Sequence, residues 1–221
     1  MKRAGVRLLS AVPGIALIHA SLVYGFGGLD FYANGFYTTA AALLSLEVVS
    51  ARLFENVELG VASRNRQSLL LLFGIVWPLM NAAMAWSAKT GVGTFVGSHP
   101  VLSSAGIASF LIGLSLRIWA ARSLGRFFSQ HVTVFAKHRI ISTGPYGFCR
   151  HPAYAGTVIQ LVGLTCIFRA YACLAGLGIY LLAVWWRIED EEKFLLRALP
   201  GEYSQYRAQV PSVLPRFRTS L

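Results

Sequence analysis

The stretch HVTVFAKHRIISTGPYGFCRHPAYAG, from His131 to Gly156, is the longest polar interruption in an otherwise mostly apolar chain. It holds three of the five histidines, together with Lys137, Arg139 and Arg150, and it contains no carboxylate. Such a loop adds nothing to the stability of a membrane protein, so it is the first place in the chain to look for function. The apolar runs on both sides of it decide the fold class.

The composition of the chain is typical of an integral membrane protein. Its 221 residues are 55% hydrophobic, with a mean hydropathy of +0.56, and this length suits one compact bundle. A net charge of +11 would indicate nucleic acid in a soluble protein. Here the basic residues lie between apolar runs, so the expected partner is a lipid bilayer and not a nucleic acid. The cysteines, Cys149, Cys166 and Cys173, lack metal-ligand spacing, so no metal site is predicted.

Six apolar segments predict an all-α, polytopic membrane helix bundle, because a spanning helix needs about 20 apolar residues. The segments run approximately from Leu8 to Gly28, Phe36 to Phe54, Leu69 to Ala88, Val101 to Ala121, Ala153 to Phe168 and Tyr171 to Trp186. The last two are short and only Arg169 and Ala170 separate them, so we expect a tight helical hairpin. Residues 1–121 then form N-terminal transmembrane helices, and residues 122–221 form the catalytic region.

The distribution of basic residues predicts the orientation of the bundle. With a cytosolic N-terminus, eighteen of the twenty Lys and Arg residues fall on the cytosolic side, and only Lys89 and Arg169 fall outside. Both termini, the central loop and the candidate site are therefore expected to face the cytosol. A secretory signal is the alternative for the first segment, but no clean cleavage site follows Ala20, which favours a retained helix.

The segment GPYGFCRHPAYAG, residues 144–156, predicts the start of a helix with an anion site. Pro152 suits the first helical position, and His151 before it is pushed towards an extended conformation. The backbone N–H groups of residues 153–155 then lack partners inside the helix, and Arg150 lies beside them. We expect a catalytic role for Arg150 on this basis. Ordinary helix capping, with Arg150 reaching a lipid phosphate, is the alternative.

The segment WWRIEDEEKFLL, residues 185–196, is the main source of acidic side chains. Arg187 and Glu191 lie one helical turn apart and share a face. Glu191 and Glu192 are adjacent and diverge by about 100°, so they do not serve one purpose together. A solvated helix with an internal ion pair is the alternative. The later stretch GEYSQYRAQVPSVLP, residues 201–215, predicts an amphipathic interfacial helix that packs the tail down.

A pocket between the helix start near Tyr154 and the acidic segment suits a zwitterionic cofactor. S-adenosylmethionine carries a carboxylate for the helix N–H groups and an ammonium for Glu191. Its sulfonium suits the ring of Tyr146 or Tyr154 through a cation–π contact. NADPH or a lipid headgroup fits the same residues. The roles of Glu47, His19 and His99 are left open by the sequence.

The C-terminal half resembles the isoprenylcysteine carboxyl methyltransferase family, which has phospholipid N-methyltransferases as relatives. The resemblance covers residues 124–215 and depends on RHPAYAG, residues 150–156, followed by RIEDEEKFL, residues 187–195. Before these come the aromatic pair Phe127–Phe128, His138–Ile141 and GPY ending at Tyr146. The chain departs from the family in three places. Its loop between His131 and His138 is shorter than in the eukaryotic members. Ala153 stands where the motif usually has serine, and Arg169–Ala170 replaces an asparagine-proline turn.

The resemblance implies a membrane-embedded, S-adenosylmethionine-dependent methyltransferase with a lipophilic or prenylated acceptor, most simply an isoprenylcysteine carboxylate. It implies that Arg187 meets the substrate at the catalytic centre. The implied cofactor-binding residues are Val134, His138, Arg139, Ile140, Ile141, Tyr146, His151, Pro152, Ala153, Tyr154 and Glu191.

Three other functions stay open at the level of sequence. A non-enzymatic scaffold or transporter is disfavoured, because charge is scarce inside the apolar segments, where Glu47 and the interfacial Arg117 occur. The other two are enzymes. One is phospholipid amine methylation, which needs a proton acceptor such as Glu192 or His131. The other is a membrane reductase that uses NADPH, as in distant relatives of the fold.

Overall fold

The computed structural model describes residues 8–54, 61–62, 77–95, 99–125, 128, 133–134 and 140–213. Within these ranges the chain is almost entirely helical, as the apolar segments predict. The α-helices are α1 (Val12–Phe26), α2 (Gly35–Phe54), α3 (Trp77–Thr90), α4 (Pro100–Leu124), α5 (Pro152–Phe168), α6 (Tyr171–Ala198) and α7 (Pro200–Gln209). Short 3-10 helices cover Leu29–Ala33 and Gly144–Gly147. A two-residue strand β1 (Val61–Ala62) pairs antiparallel with β2 (Thr133–Val134).

The helices follow the predicted apolar segments in order, with shifted ends. The third segment is described from Trp77 onward, and residues 69–76 lie outside the described residues. The sixth segment was expected to end at Trp186, but α6 continues without a break to Ala198. The reason is local, because no Gly or Pro occurs between Ile179 and Leu199, and the charged stretch is rich in good helix formers.

Helices α4 and α5 pack antiparallel with their backbones in close contact. A Cβ on Gly106 would lie 2.6 Å from the carbonyl oxygen of Gly163, and a Cβ on Gly113 would lie 2.4 Å from that of Gly156. The two glycines on each helix are about two turns apart and so share a face. Small residues at helix contacts let the backbones touch, as is common in membranes. This contact fixes the position of α5, which carries the candidate site at its first turn.

Arg169 closes the opposite end of α5. Its φ of 54° is left-handed, and its guanidinium is buried. The guanidinium donates to Ser103 Oγ at 2.8 Å and to the carbonyl of Ile167 at 3.0 Å, and lies 3.4 Å from Tyr37 Oη. The carbonyl of Arg169 also accepts from the N–H of Phe95 at 3.0 Å. One residue thus connects α2, α4, α5 and the segment after α3.

Two histidines to which the sequence assigns no role make structural contacts. The ring of His99 accepts from the N–H of Leu102 at 3.4 Å and so caps α4. His19 lies 2.5 Å from Tyr32 Oη and 2.8 Å from Ser45 Oγ, between α1 and α2. Neither histidine lies at the candidate site.

Among the described residues, α4 and α6 are long and apolar enough to cross a membrane. Helices α1 and α5 are apolar but shorter, with 15 and 17 residues. Helix α6 exposes large apolar side chains such as Leu182 and Trp185. Exposed large apolar side chains are expected of a helix that faces lipid.

Candidate active site

The start of α5 is set by the residues before it. Gly144 has a φ of 61° and begins the 3-10 turn, in which Pro145 and Tyr146 are buried. His151 has an extended φ of −125°, and Pro152 is the first residue of α5, which confirms the predicted helix start. The polar loop therefore enters the bundle through a fixed turn.

The predicted row of free N–H groups at this helix start is wrong for two of its three members. The N–H groups of Tyr154 and Ala155 both donate to the carbonyl of His151, each at 3.1 Å. His151 has a ψ of 56°, so it is not in the extended conformation expected before Pro152, and its carbonyl accepts from both N–H groups of the first turn. Of these three groups, only the N–H of Ala153 makes no hydrogen bond to the part of the chain that the structure describes, so the helix end alone is a weak anion site.

The C-terminal tail lies directly against the turn before α5. The N–H of Arg150 donates to the carbonyl of Pro211, and that of His151 to the carbonyl of Ser212, both at 2.9 Å. The hydroxyl of Tyr206 donates to the carbonyl of Tyr146 at 2.8 Å. The aromatic face of α7 is buried here, as expected for a helix that packs the tail down.

Glu192 is the centre of a cluster of basic side chains. Arg150 donates to its Oε1 from Nε at 3.0 Å and from Nη2 at 2.8 Å, and His151 Nε2 lies 3.1 Å from the same oxygen. Arg207 Nε lies 3.2 Å from Oε2. Burial alone would raise the pKa of Glu192, but the hydrogen bonds from His151 and Arg150 lower it to about 2. Glu192 is therefore a carboxylate that holds the turn, α6 and α7 together.

Arg150 is occupied in the same cluster. Besides Glu192, its Nη1 donates to the carbonyl of Arg207 at 3.1 Å and to that of Val210. Its side chain is only 9% exposed. These contacts favour a structural role for Arg150, and its expected catalytic role stays a prediction.

Tyr154 contacts Arg187 and Glu191, two other candidate site residues, both on α6. Its hydroxyl donates to Glu191 Oε2 at 2.9 Å and accepts from Nε of Arg187. The guanidinium of Arg187 also lies 5.8 Å from the centre of the Tyr154 ring, and the ring of His151 stacks on Tyr154 at 5.7 Å. The adjacent glutamates thus face different partners, as helical geometry predicts.

An open cavity of about 520 Å³ lies on the Glu192 side of α6. Its lining combines apolar and charged side chains: Arg150, Ile188, Glu189, Glu192, Lys193, Leu196, Arg207 and Ser212. Glu191 and Tyr154, which the sequence expected to share a pocket, do not line this cavity. They meet by direct contact instead.

The remaining predicted cofactor residues differ in how far the structure describes them. His138 and Arg139 lie outside the described residues, as does His131, while Val134 is described only as part of β2. Ile140 packs against the buried cluster of Tyr203, Tyr206 and Val210. Ile141 and Ala153 are half-buried, and Tyr146, His151 and Pro152 are buried. Of the predicted cofactor-binding residues, the structure brings His151, Tyr154 and Glu191 into contact with one another.

A second polar cluster was not assigned from the sequence. Glu47 of α2 lies 2.7 Å from Nε of Arg117 of α4 and accepts from Gln160 Nε2 of α5 at 2.7 Å. Arg117 Nη1 also donates to Thr157 Oγ1. The available signal was a carboxylate inside an apolar segment, which typically faces a partner inside the bundle. The cluster fixes α2 and α4 to the helix that carries Tyr154.

The region that holds Tyr154, Arg187 and Glu191 is similar to known proteins. The model of the isoprenylcysteine carboxyl methyltransferase (ICMT) family matches residues 106–197. Protein-S-isoprenylcysteine O-methyltransferase of Rattus norvegicus is 30% identical over 194 residues, which cover 85% of this chain and 61% of the rat protein. The chain thus spans about three fifths of the length of such relatives.

Two further similarities concern a bacterial protein and a solved structure. The cobalt-zinc-cadmium resistance protein CzcN of Cupriavidus metallidurans is 26% identical over 143 residues, covering 64% of this chain and 61% of that protein. The structure of the eukaryotic intramembrane Ras methyltransferase ICMT superposes with a TM-score of 0.53 at 22% identity. This match covers 96% of the present chain and 73% of the other, and it shows a shared fold.

Proposed function

We propose that the chain, whose residues 106–197 match the isoprenylcysteine carboxyl methyltransferase family, acts as a member of that family. It would transfer a methyl group from S-adenosylmethionine to a lipophilic acceptor, most simply the carboxylate of an isoprenylcysteine. One observation carries the proposal. The hydroxyl of Tyr154, from the RHPAYAG segment, contacts both Glu191 and Arg187, from the RIEDEEKFL segment. The two motifs of the resemblance are thus one cluster, although more than 30 residues separate them in sequence.

In this proposal the enzyme crosses or enters a membrane through six helical segments. In this arrangement residues 1–121 form N-terminal membrane helices and residues 122–221 the catalytic region, with α5 and α6 as a helical hairpin. Both termini and the site face the cytosol, since the basic residues collect on that side. The exposed apolar face of α6 supports contact with lipid.

The described residues fit the ammonium end of the cofactor better than its carboxylate end. Glu191 offers a carboxylate for the ammonium group, and the ring of Tyr154 offers an aromatic face for the sulfonium. The helix start supplies one N–H, that of Ala153, so the carboxylate end requires the loop that holds His138 and Arg139. When bound, S-adenosylmethionine supplies a methyl group on a positively charged sulfur.

The acceptor carboxylate is assigned to Arg187. An α-carboxyl group titrates at about 3.5, so it is ionised near neutral pH and needs no general base. Arg187 then has to orient the carboxylate, and the apolar surroundings of the hairpin exclude water from the reacting atoms. Arg187→Ala is expected to abolish methyl transfer while cofactor binding persists.

The contacts of Glu192 argue against this residue as the proton acceptor that an amine substrate would need. An amine needs a proton acceptor, but Glu192 is bound by three basic side chains and its pKa is about 2. A carboxylate acceptor predicts a rate that is flat between about pH 6 and 8, since the carboxylate is fully ionised there. A rate that rises with pH over this range would instead indicate an amine.

Calorimetric titration with S-adenosylhomocysteine in detergent tests the cofactor. We expect saturable binding that Glu191→Gln weakens about tenfold or more, because a charge-assisted contact is lost. Glu189→Gln is the matched control, since Glu189 is exposed and pairs with Lys193. Binding of NADPH without binding of S-adenosylhomocysteine would exclude the proposed function and identify a reductase.

A further inference from the structure

The hydroxyl of Tyr154 has a fixed hydrogen-bond polarity. The Nε–H of Arg187 can only donate, so the hydroxyl oxygen must accept from it. An ionised carboxylate can only accept, so the hydroxyl proton must point to Glu191. The hydroxyl oxygen of Tyr154 is therefore hydrogen-bonded to both Arg187, which is proposed to bind the acceptor, and Glu191, which is proposed to bind the cofactor.

The ring that carries this hydroxyl also contacts two neighbouring side chains. His151 stacks on it with an interplanar angle of 20°, and Arg187 lies against it. His151 is in turn bound to Glu192 at 3.1 Å. The Tyr154 ring is thus connected to α6 twice, through His151 to Glu192 and through its hydroxyl to Arg187 and Glu191. These contacts leave the ring little freedom to turn.

Arg187 and Glu191 need such a hold because their side chains are long. Each has several rotatable bonds, and fixing one such side chain costs up to about 2 kcal/mol of conformational entropy. The two residues lie one turn apart on α6, so groups bound to them are neighbours. In-line methyl transfer requires the reacting atoms about 3 Å apart and aligned, and a misplacement of about 1 Å can cost 100-fold in rate.

We infer that Tyr154 is a positioning residue whose hydroxyl holds the acceptor-binding guanidinium of Arg187 and the cofactor-binding carboxylate of Glu191 in one register. The inference rests on the proposed function and adds to it a role for the hydroxyl that is separate from cofactor binding. Tyr154 accordingly sets the geometry of transfer more than the affinity for either ligand.

Tyr154→Phe separates these roles because it removes the hydroxyl and keeps the ring. The probes are S-adenosylhomocysteine for binding and N-acetyl-S-farnesylcysteine as the isoprenylcysteine carboxylate for turnover. We expect kcat to fall about 10- to 100-fold. The acceptor KM and the Kd of S-adenosylhomocysteine are expected to stay within about threefold of their original values. Tyr24→Phe is the matched control, since Tyr24 is 85% exposed on α1.

A double-variant cycle tests whether the hydroxyl acts through Arg187. Arg187→Lys keeps the charge but loses the Nε–H that contacts Tyr154. If the hydroxyl acts by holding that group, Tyr154→Phe in the Arg187→Lys background lowers kcat much less than in the unaltered protein. Equal factors in both backgrounds would contradict the inference.

The remaining outcomes are also decisive. An unchanged kcat in Tyr154→Phe overturns the inference. Loss of S-adenosylhomocysteine binding with an unchanged melting temperature also overturns it, because the hydroxyl itself would then be a cofactor ligand. If Tyr154→Phe does not fold, 3-fluorotyrosine is placed at position 154 instead, because it keeps the ring and the hydroxyl but alters the strength of the hydrogen bonds. The inference then requires a changed kcat with an unchanged acceptor KM and an unchanged Kd of S-adenosylhomocysteine. An unaltered protein that binds no S-adenosylhomocysteine refutes the proposed function itself.

Discussion

Glu192→Gln is the sharpest test of how the candidate site is held in place. Glutamine keeps the size of the side chain and one acceptor oxygen but removes the negative charge. In the structure that charge faces Arg150, His151 and Arg207. The variant therefore leaves the basic side chains next to one another without compensation, at the point where the turn before α5 meets α6 and the tail.

The magnitude follows from the pKa of Glu192. A pKa lowered from 4.5 to about 2 corresponds to about 3 kcal/mol of stability at neutral pH. Solvent reaches the carboxylate past Arg207, whose side chain is 51% exposed, and this screening reduces the expected loss to about 1–2 kcal/mol. For a chain of this size the loss amounts to about 2–8 °C in melting temperature.

The assay is thermal unfolding in detergent, with Glu189→Gln as the control on the same helix. Glu189 is exposed and, within the described ranges, pairs with Trp185 and Lys193 one turn away, so its variant is expected to melt like the unaltered protein. If Glu192→Gln melts no lower than Glu189→Gln, the basic cluster does not stabilise the fold and the reasoning is refuted.

The pH dependence gives a second readout with a definite sign. The folded pKa of Glu192 lies below its ordinary value, so its contribution is complete above about pH 4.5 and is lost as the pH falls towards 2. The difference in melting temperature between the unaltered protein and Glu192→Gln should therefore narrow below about pH 4.5. A difference that stays constant down to pH 3 would show that charge is not its source.

Two further predictions concern the helix contacts that support the site. Gly113→Ala should cost about 1–3 kcal/mol, because a Cβ there meets a carbonyl oxygen of α5 at 2.4 Å. Gly178→Ala, with no atom within 4 Å of the new Cβ, should be neutral or slightly stabilising; equal melting temperatures for the two variants would contradict the packing described. Arg169→Ala should cost about 2–4 kcal/mol by removing buried hydrogen bonds. Arg169→Gly should lose less, since φ of 54° suits glycine, and the opposite order in thermal unfolding would refute this.

The features that could be predicted from the sequence depend on local patterns. Apolar runs predict the helices, and Pro152 predicts the start of α5 because its ring fits only there. The shared face of Arg187 and Glu191 follows from helical spacing alone. The family resemblance adds that these two segments meet, and the contacts of Tyr154 agree with it.

The features that could not be predicted depend on which distant residues meet. Glu47 was visible as a carboxylate in an apolar segment, but its partner Gln160 lies 113 residues away and on another helix. The contact of α4 with α5 depends on glycines that carry no side-chain signal of their own. The N–H groups of Tyr154 and Ala155 were expected to be free, but both donate to the His151 carbonyl. The sequence does not show the direction of that carbonyl.

The two adjacent glutamates show why the site needs both kinds of information. Helical geometry requires that Glu191 and Glu192 face different directions, but only the tertiary structure assigns Glu192 to the basic cluster and Glu191 to Tyr154. Glu192→Gln should therefore lower the melting temperature more than it weakens S-adenosylhomocysteine binding, whereas Glu191→Gln should do the reverse. Because the same substitution is made at neighbouring positions of one helix, a reversed or identical pair of effects would contradict this division between support and binding, whatever the acceptor of the methyl group.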